Sequence, residues 1–150
     1  MNGKTTETRL LYKRFYPDGS LISRGYLNDK EQRVGSWVFY YPPSRAYPNG
    51  IPHIKISYRD GKKHGKMKSW TNQGLLVYSA RYRNGELDGR ARTYNKSGKL
   101  MEVDYYKDGR LLYSKRRLAG RLVLLPRVPS VPLVQLPERD DQRDDGPFEV

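Results

Sequence analysis

The chain has 150 residues, room for one domain with a tail, and its 36% hydrophobic content is too low for a thick two-layer core. It contains no Cys, which excludes disulfides and thiolate metal sites, and 13 of its 18 aromatic residues are Tyr, a ring that packs while its hydroxyl reaches water. Its 29 Lys and Arg against 16 Asp and Glu give a net charge of +13, so an anionic partner is the first class to weigh. No charged-then-apolar leader opens the sequence, and no apolar run approaches the roughly 20 residues of a membrane-spanning helix. The cytoplasm is the simplest expectation.

Residues 1–11 read as an N-terminal extension, and a degenerate first unit follows at 12–41. Pro17-Asp18-Gly19 is a proline-assisted turn, with Leu21 two residues beyond it. The next turn, around Asn28-Asp29-Lys30, lacks Gly at the expected place, and Gly35 arrives one residue late. Residues 41–49 then interrupt the pattern with Pro42, Pro43 and Pro48, which cannot donate to a sheet ladder and so predict an inserted surface loop.

From Gly50 onward the chain is periodic. Gly61, Gly85 and Gly109 lie 24 residues apart, and Gly65 and Gly89, Trp70 and Tyr94, Gly74 and Gly98, and Leu76 and Leu100 repeat the step. Asp60-Gly61, Asn84-Gly85 and Asp108-Gly109 are tight hairpin turns, because Asp or Asn before Gly tolerates two positive φ angles. Between turns lie runs of strand length. The expected fold is all-β: an elongated antiparallel meander of hairpins with a 24-residue period over residues 12–113, and a mostly irregular C-terminal tail. Residues 114–137 break the glycine spacing and place Pro126, Pro129, Pro132 and Pro137 among aliphatics, which predicts an extended segment. That segment either covers a sheet edge or serves as a linear motif. Residues 138–150 are acidic and are expected to be disordered.

The segment D-G-K-K-H-G-K at 60–66, with Tyr58 before it and an aromatic and G-L-L after it, resembles the variant MORN repeat of bacterial proteins. That class includes YwqK-type proteins, the antitoxins of toxin–antitoxin systems. The resemblance covers about residues 12–113 and implies a sheet of repeated hairpins with a non-catalytic binding role.

Catalytic chemistry has little to stand on. His53 and His64 are the only imidazoles and share no triad or metal spacing; His64 takes the place of Asp88 one unit on, a position that suits a turn-flanking role. His53, beside the inserted loop, reads as solvent-exposed. Asp60 and Asp108 are turn formers, since Asn84 stands at the same step. No enzyme activity and no cofactor are expected.

Charge is the stronger signal. Residues 1–120 hold 25 Lys and Arg against 10 Asp and Glu, while residues 121–150 hold 4 against 6, so the excess belongs to the repeats. Strand alternation puts Lys66, Lys68 and Trp70 on one face, with Arg90, Arg92 and Tyr94 at the same steps one unit later. Met67, Ser69, Ala91 and Thr93 fall on the other face and suit packing. Lys66, Lys68, Trp70, Arg90, Arg92 and Tyr94 are the candidate partner-binding set. The primary reading is a protein-binding repeat of antitoxin or immunity type that takes a toxin-like or otherwise acidic protein. The alternatives are single-stranded nucleic acid along the cation–aromatic ladder and an anionic membrane surface bound by a scaffold. A solvated face kept basic for solubility is the bland counterpart.

Overall fold

The computed structural model describes residues 7–126. They form eleven strands: β1 (Leu10–Phe15), β2 (Leu21–Leu27), β3 (Arg33–Tyr40), β4 (Pro52–Arg59), β5 (Lys62–Trp70), β6 (Leu76–Arg83), β7 (Glu86–Leu87), β8 (Gly89–Tyr94), β9 (Leu100–Lys107), β10 (Arg110–Leu118) and β11 (Arg121–Leu124). Every pairing is antiparallel, and the sheet order follows the chain from β1 to β11, with the two-residue β7 on the edge of β6. It is the open meander that the glycine period predicts. Among the described residues no helix is long and apolar enough to cross a membrane.

The period has a hydrogen-bonded basis. Asp60-Gly61, Asn84-Gly85 and Asp108-Gly109 each combine two positive φ angles (48° and 79°, 49° and 93°, 47° and 76°), the geometry of a two-residue hairpin turn. The glycine amide of each turn donates to the preceding unit: Gly61 to the Arg33 carbonyl at 2.9 Å, Gly85 to Lys63 at 2.8 Å and Gly109 to Leu87 at 2.9 Å. Each turn is thereby tied to the unit before it. At the opposite end of the sheet the longer turns close on their own first side chain. Thr71 Oγ1 accepts from the Gln73 and Leu75 amides, and Asn95 Oδ1 from those of Ser97 and Lys99.

Three findings depart from the sequence reading. The turn at 28–32 has the same form, with Asn28 Oδ1 accepting from Lys30 and Gln32, but Glu31 takes the positive φ (59°) that Gly holds elsewhere. The sheet does not stop near residue 113: β10 runs to Leu118, and an Ala119-Gly120 turn with φ of 45° and 81° adds β11. Gly120 breaks the spacing because this turn has two residues where its counterparts at 71–75 and 95–99 are longer. His53 is half-buried rather than exposed, its ring 4.2 Å from that of Tyr41 at the base of the inserted loop, and burial holds its pKa below the ordinary histidine value. The expectations for residues 127–137 and 138–150 lie outside the described residues.

The two faces differ. One carries a cluster of Trp37, Phe39, Ile56 and Tyr58, with Leu27, Ile54, Met67 and Tyr82 packed against it. Trp37 is 1% exposed although the sheet is a single layer. Its ring lies flat on the backbone of Gly25, where any Cβ would sit 2.2 Å from Cδ2, and its Nε1 donates to the Tyr26 carbonyl at 3.1 Å. The Arg33 guanidinium covers it from above, 4.5 Å from the ring centroid. Further along this face Ala80 and Ala91 are buried, as their small size allows beneath the neighbouring tyrosines.

Candidate functional site

The opposite face carries the charge, and its layout follows from strand register. Residues paired across neighbouring strands share a face, so the pairings can be read as rows. One row crosses all ten strands of the main path: Lys13, Arg24, Val38, Lys55, Lys68, Ser79, Arg92, Val103, Lys115 and Leu124. Six of the ten are cations and none is acidic. A second, shorter row pairs Lys66 with Arg81, and Arg90 with Tyr105 and then Tyr113. Lys13 faces Arg24, Lys55 faces Lys68, and Lys66 faces Arg81, each pair like-charged.

The carboxylates of the described residues lie elsewhere. Asp18, Asp29, Glu31, Asp60 and Asp108 sit in turns, and Glu7 precedes β1. Glu86 and Asp88 flank the Asn84-Gly85 turn at the sheet's end. Glu102 and Asp104 are on the aromatic face, where Glu102 accepts from Arg116 Nε at 2.7 Å. Asp88 accepts from Lys107 Nζ at 3.1 Å and from the Asp108 amide at 3.4 Å, and lies 3.5 Å from Arg83. The Lys107 hydrogen bond leads in holding its carboxyl below the usual aspartate value. His64, one unit earlier, does the corresponding work: its Nδ1 accepts from the Asn84 amide at 3.3 Å. Both side chains serve turns.

Five of the six candidate residues come together. Lys66, Lys68, Arg90, Arg92 and Tyr94 line one shallow concavity of about 610 Å³ with Arg81, Leu76 and Ser79. Trp70 lies apart, in the adjoining concavity of about 380 Å³ with Arg24, Tyr40, Pro52 and Lys55. Each aromatic closes the hollow of the hairpin before it, so Trp70 and Tyr94 mark two successive sites one unit apart. Sequence alternation alone does not reveal Arg81, Lys55 or Arg24. Their places one period away hold Ser57, Tyr105 and Ser79, or fall in the degenerate unit, and only the register brings them into the rows.

Aromatic rings support the cations on this face. Tyr105 and Tyr113 stack with centroids 4.2 Å apart. Arg90 and Lys115 approach the Tyr105 ring at 5.8 and 5.9 Å, and Arg24 approaches Tyr40 at 6.0 Å. Contacts of this kind orient a guanidinium or ammonium while its polar hydrogens stay available to a ligand. The arrangement can bind a polyanion across several strands.

Comparison with known proteins bears on the unit rather than the whole chain. No curated protein matches the sequence. Residues 87–108 match the model of the MORN repeat variant, a segment running from Leu87 through β8 and β9 to the Asp108-Gly109 turn. Over this hairpin the chain is similar to a MORN repeat, a unit generally found in proteins that bind other proteins or membranes.

Proposed function

We propose that the chain is a non-enzymatic binding module that docks an acidic partner protein on its basic face. The row of six cations, with two like-charged pairs set directly opposite within it and Lys66 opposite Arg81 beside it, carries this reading. Opposed like charges destabilise a sheet by roughly 0.2–1 kcal/mol per pair, and a face kept basic only for solubility is better served by mixed signs. An anionic surface laid across β4 to β10 turns that repulsion into attraction and steers its own approach. The resemblance to YwqK-type antitoxins suggests the form: shape and charge occluding a partner's working surface, in a reducing compartment such as the cytoplasm that a Cys-free chain suits.

One observation favours a second reading. The stacked Tyr105–Tyr113 pair, flanked by Arg90 and Lys115, offers a ring platform beside cations, as single-stranded nucleic acid requires. Pull-down at about 0.1 M and 0.5 M salt, with and without nuclease, separates the two, because backbone-phosphate contacts weaken steeply over that range. The expected result is one acidic protein retained after nuclease treatment and released by K66E/K68E/R90E/R92E. Capture that disappears with nuclease supports nucleic acid, and sedimentation with anionic but not neutral vesicles supports a membrane surface. Either outcome overturns the proposal, as does a partner that the four reversals leave bound.

A further inference from the structure

The basic row ends at the point where the chain leaves the sheet. Lys115 pairs with Leu124, the Leu125 amide donates to the Ser114 carbonyl at 2.9 Å, and Pro126 borders a cleft of about 410 Å³ with Tyr113 and Lys115. The chain thus departs on the basic side, beside the last cation of the row. Residues 127–137 follow, and then 138–150, which hold Glu138, Asp140, Asp141, Asp144, Asp145 and Glu149 against Arg139 and Arg143. The one strongly acidic stretch of the sequence is joined directly to the edge of a face whose ten-residue row has no carboxylate of its own, Glu86 and Asp88 lying at the sheet's end beside Arg83 and Lys107.

We infer that residues 138–150 are an occupant of the basic face in cis, competing there with the partner. The inference rests on the reading of that face as an anion-binding surface. Reach permits it. An extended chain covers about 3.1 Å per residue, so the eleven residues 127–137 span up to about 34 Å. Lys55, five strands from Lys115 in the sheet order, is about 24 Å away at a strand spacing of about 4.8 Å. Spacing also agrees. Lys115, Arg92 and Lys68 stand two strands apart in turn, about 10 Å. Carboxylates three residues apart in an extended chain, such as Glu138, Asp141 and Asp144, are separated by about the same distance. The consequence is regulatory: an external acidic ligand must displace a tethered one, so only a partner of higher charge density or better shape gains the face.

The test uses the full chain in three forms: unaltered, E138Q/D140N/D141N/D144N/D145N/E149Q, and K66Q/K68Q/R90Q/R92Q, with the probe a labelled twelve-residue poly-glutamate peptide in about 0.1 M salt. A tethered segment acts at an effective concentration in the millimolar range. If its own dissociation constant is about 0.1 mM, neutralising it raises probe affinity about tenfold. Zero-length carbodiimide coupling of the unaltered monomer, mapped by mass spectrometry, is expected to join carboxylates of 138–150 to Lys66, Lys68 or Lys115. Equal probe affinity in the unaltered and tail-neutralised chains, with binding still lost in the K66Q/K68Q/R90Q/R92Q form, overturns the inference and leaves the face reading intact. Probe binding that survives those four substitutions overturns the reading of the face itself.

Discussion

Gly25 offers the sharpest test of how a one-layer sheet buries a tryptophan. Gly25→Ala places a Cβ at 2.2, 2.3 and 2.4 Å from three atoms of the Trp37 indole. Carbon atoms pack comfortably at about 3.5 Å, so ring or backbone must give by about 1.3 Å. Trp37 has little room to retreat. Arg33 lies 4.5 Å above its ring, Tyr12, Phe39 and Tyr58 surround it with centroids at 5.5, 6.2 and 6.2 Å, and Nε1 is held by the Tyr26 carbonyl. Overpacking of this kind costs about 1–3 kcal/mol, and loss of the indole hydrogen bond adds about 1–3 kcal/mol. The expected destabilisation is about 2–6 kcal/mol, a large share of the ~5–15 kcal/mol that holds a domain together. Urea unfolding followed by circular dichroism reads it as a lower midpoint at constant slope. Gly74→Ala is the control: φ there is +80° with no heavy atom within 4 Å of the added Cβ, so only the left-handed backbone penalty of about 1–2 kcal/mol applies. A Gly25→Ala chain no less stable than Gly74→Ala refutes the account of the core.

Glu31→Gly, at a φ of 59°, is expected to stabilise the chain by about 1 kcal/mol by removing left-handed strain, and an unchanged or lower urea midpoint counts against it. Asp88→Asn is expected to weaken the chain at neutral pH. The Asp88 carboxyl titrates below its unfolded value of about 4, so its stabilisation is complete above that pH and is lost as pH falls through the lower folded value. The two chains should therefore converge in acid, and a gap of constant size from neutral to strongly acidic pH refutes the assignment. Burial pushes the Tyr78 phenol well up, with Tyr82, Tyr106 and Asp104 adding to it, and Tyr16, Tyr41 and Tyr106 are also raised. Their stabilisation is present below the unfolded value of about 10 and lost above it, so ultraviolet titration should show these four ionising late, together with alkaline unfolding. A single step near pH 10 for all 13 tyrosines refutes it.

The repeat was legible because its turns admit few residues. Asp or Asn before Gly at 60, 84 and 108 states the hairpin directly, and alternation from those turns places Lys66, Lys68, Arg90 and Arg92 on one face. What the sequence withheld is register. The pairing sum shifts by two where β2 meets β3, β4 meets β5 and β6 meets the β7–β8 pair, near Gly35, Gly65 and Gly89. Those irregularities decide which cations of neighbouring strands stand side by side. Lys55 meets Lys68 through the one at Gly65, Arg81 meets Lys66 through the regular β5–β6 ladder, and the separation of Trp70 from Tyr94 follows from the way each ring leans over the preceding hairpin. Trp37 was illegible for a related reason: the space for it is made by the missing side chain of Gly25, on a neighbouring strand with no periodic counterpart. His53 was misread because its cover, Tyr41, belongs to the insertion that breaks the period.

Each strand of this sheet pairs only with its neighbours along the chain, so none of the ladder closes a long loop. Contact order is correspondingly low for an all-β protein, and the entropy cost of closing loops before pairing is small. Folding can begin at any hairpin and spread in both directions. Tension applied to the two ends would undo the same ladder one hairpin at a time, with the greatest resistance where Trp37, Phe39, Ile56 and Tyr58 meet. A 24-residue unit inserted or removed away from that cluster alters the length of the basic row without rewiring a single remaining strand.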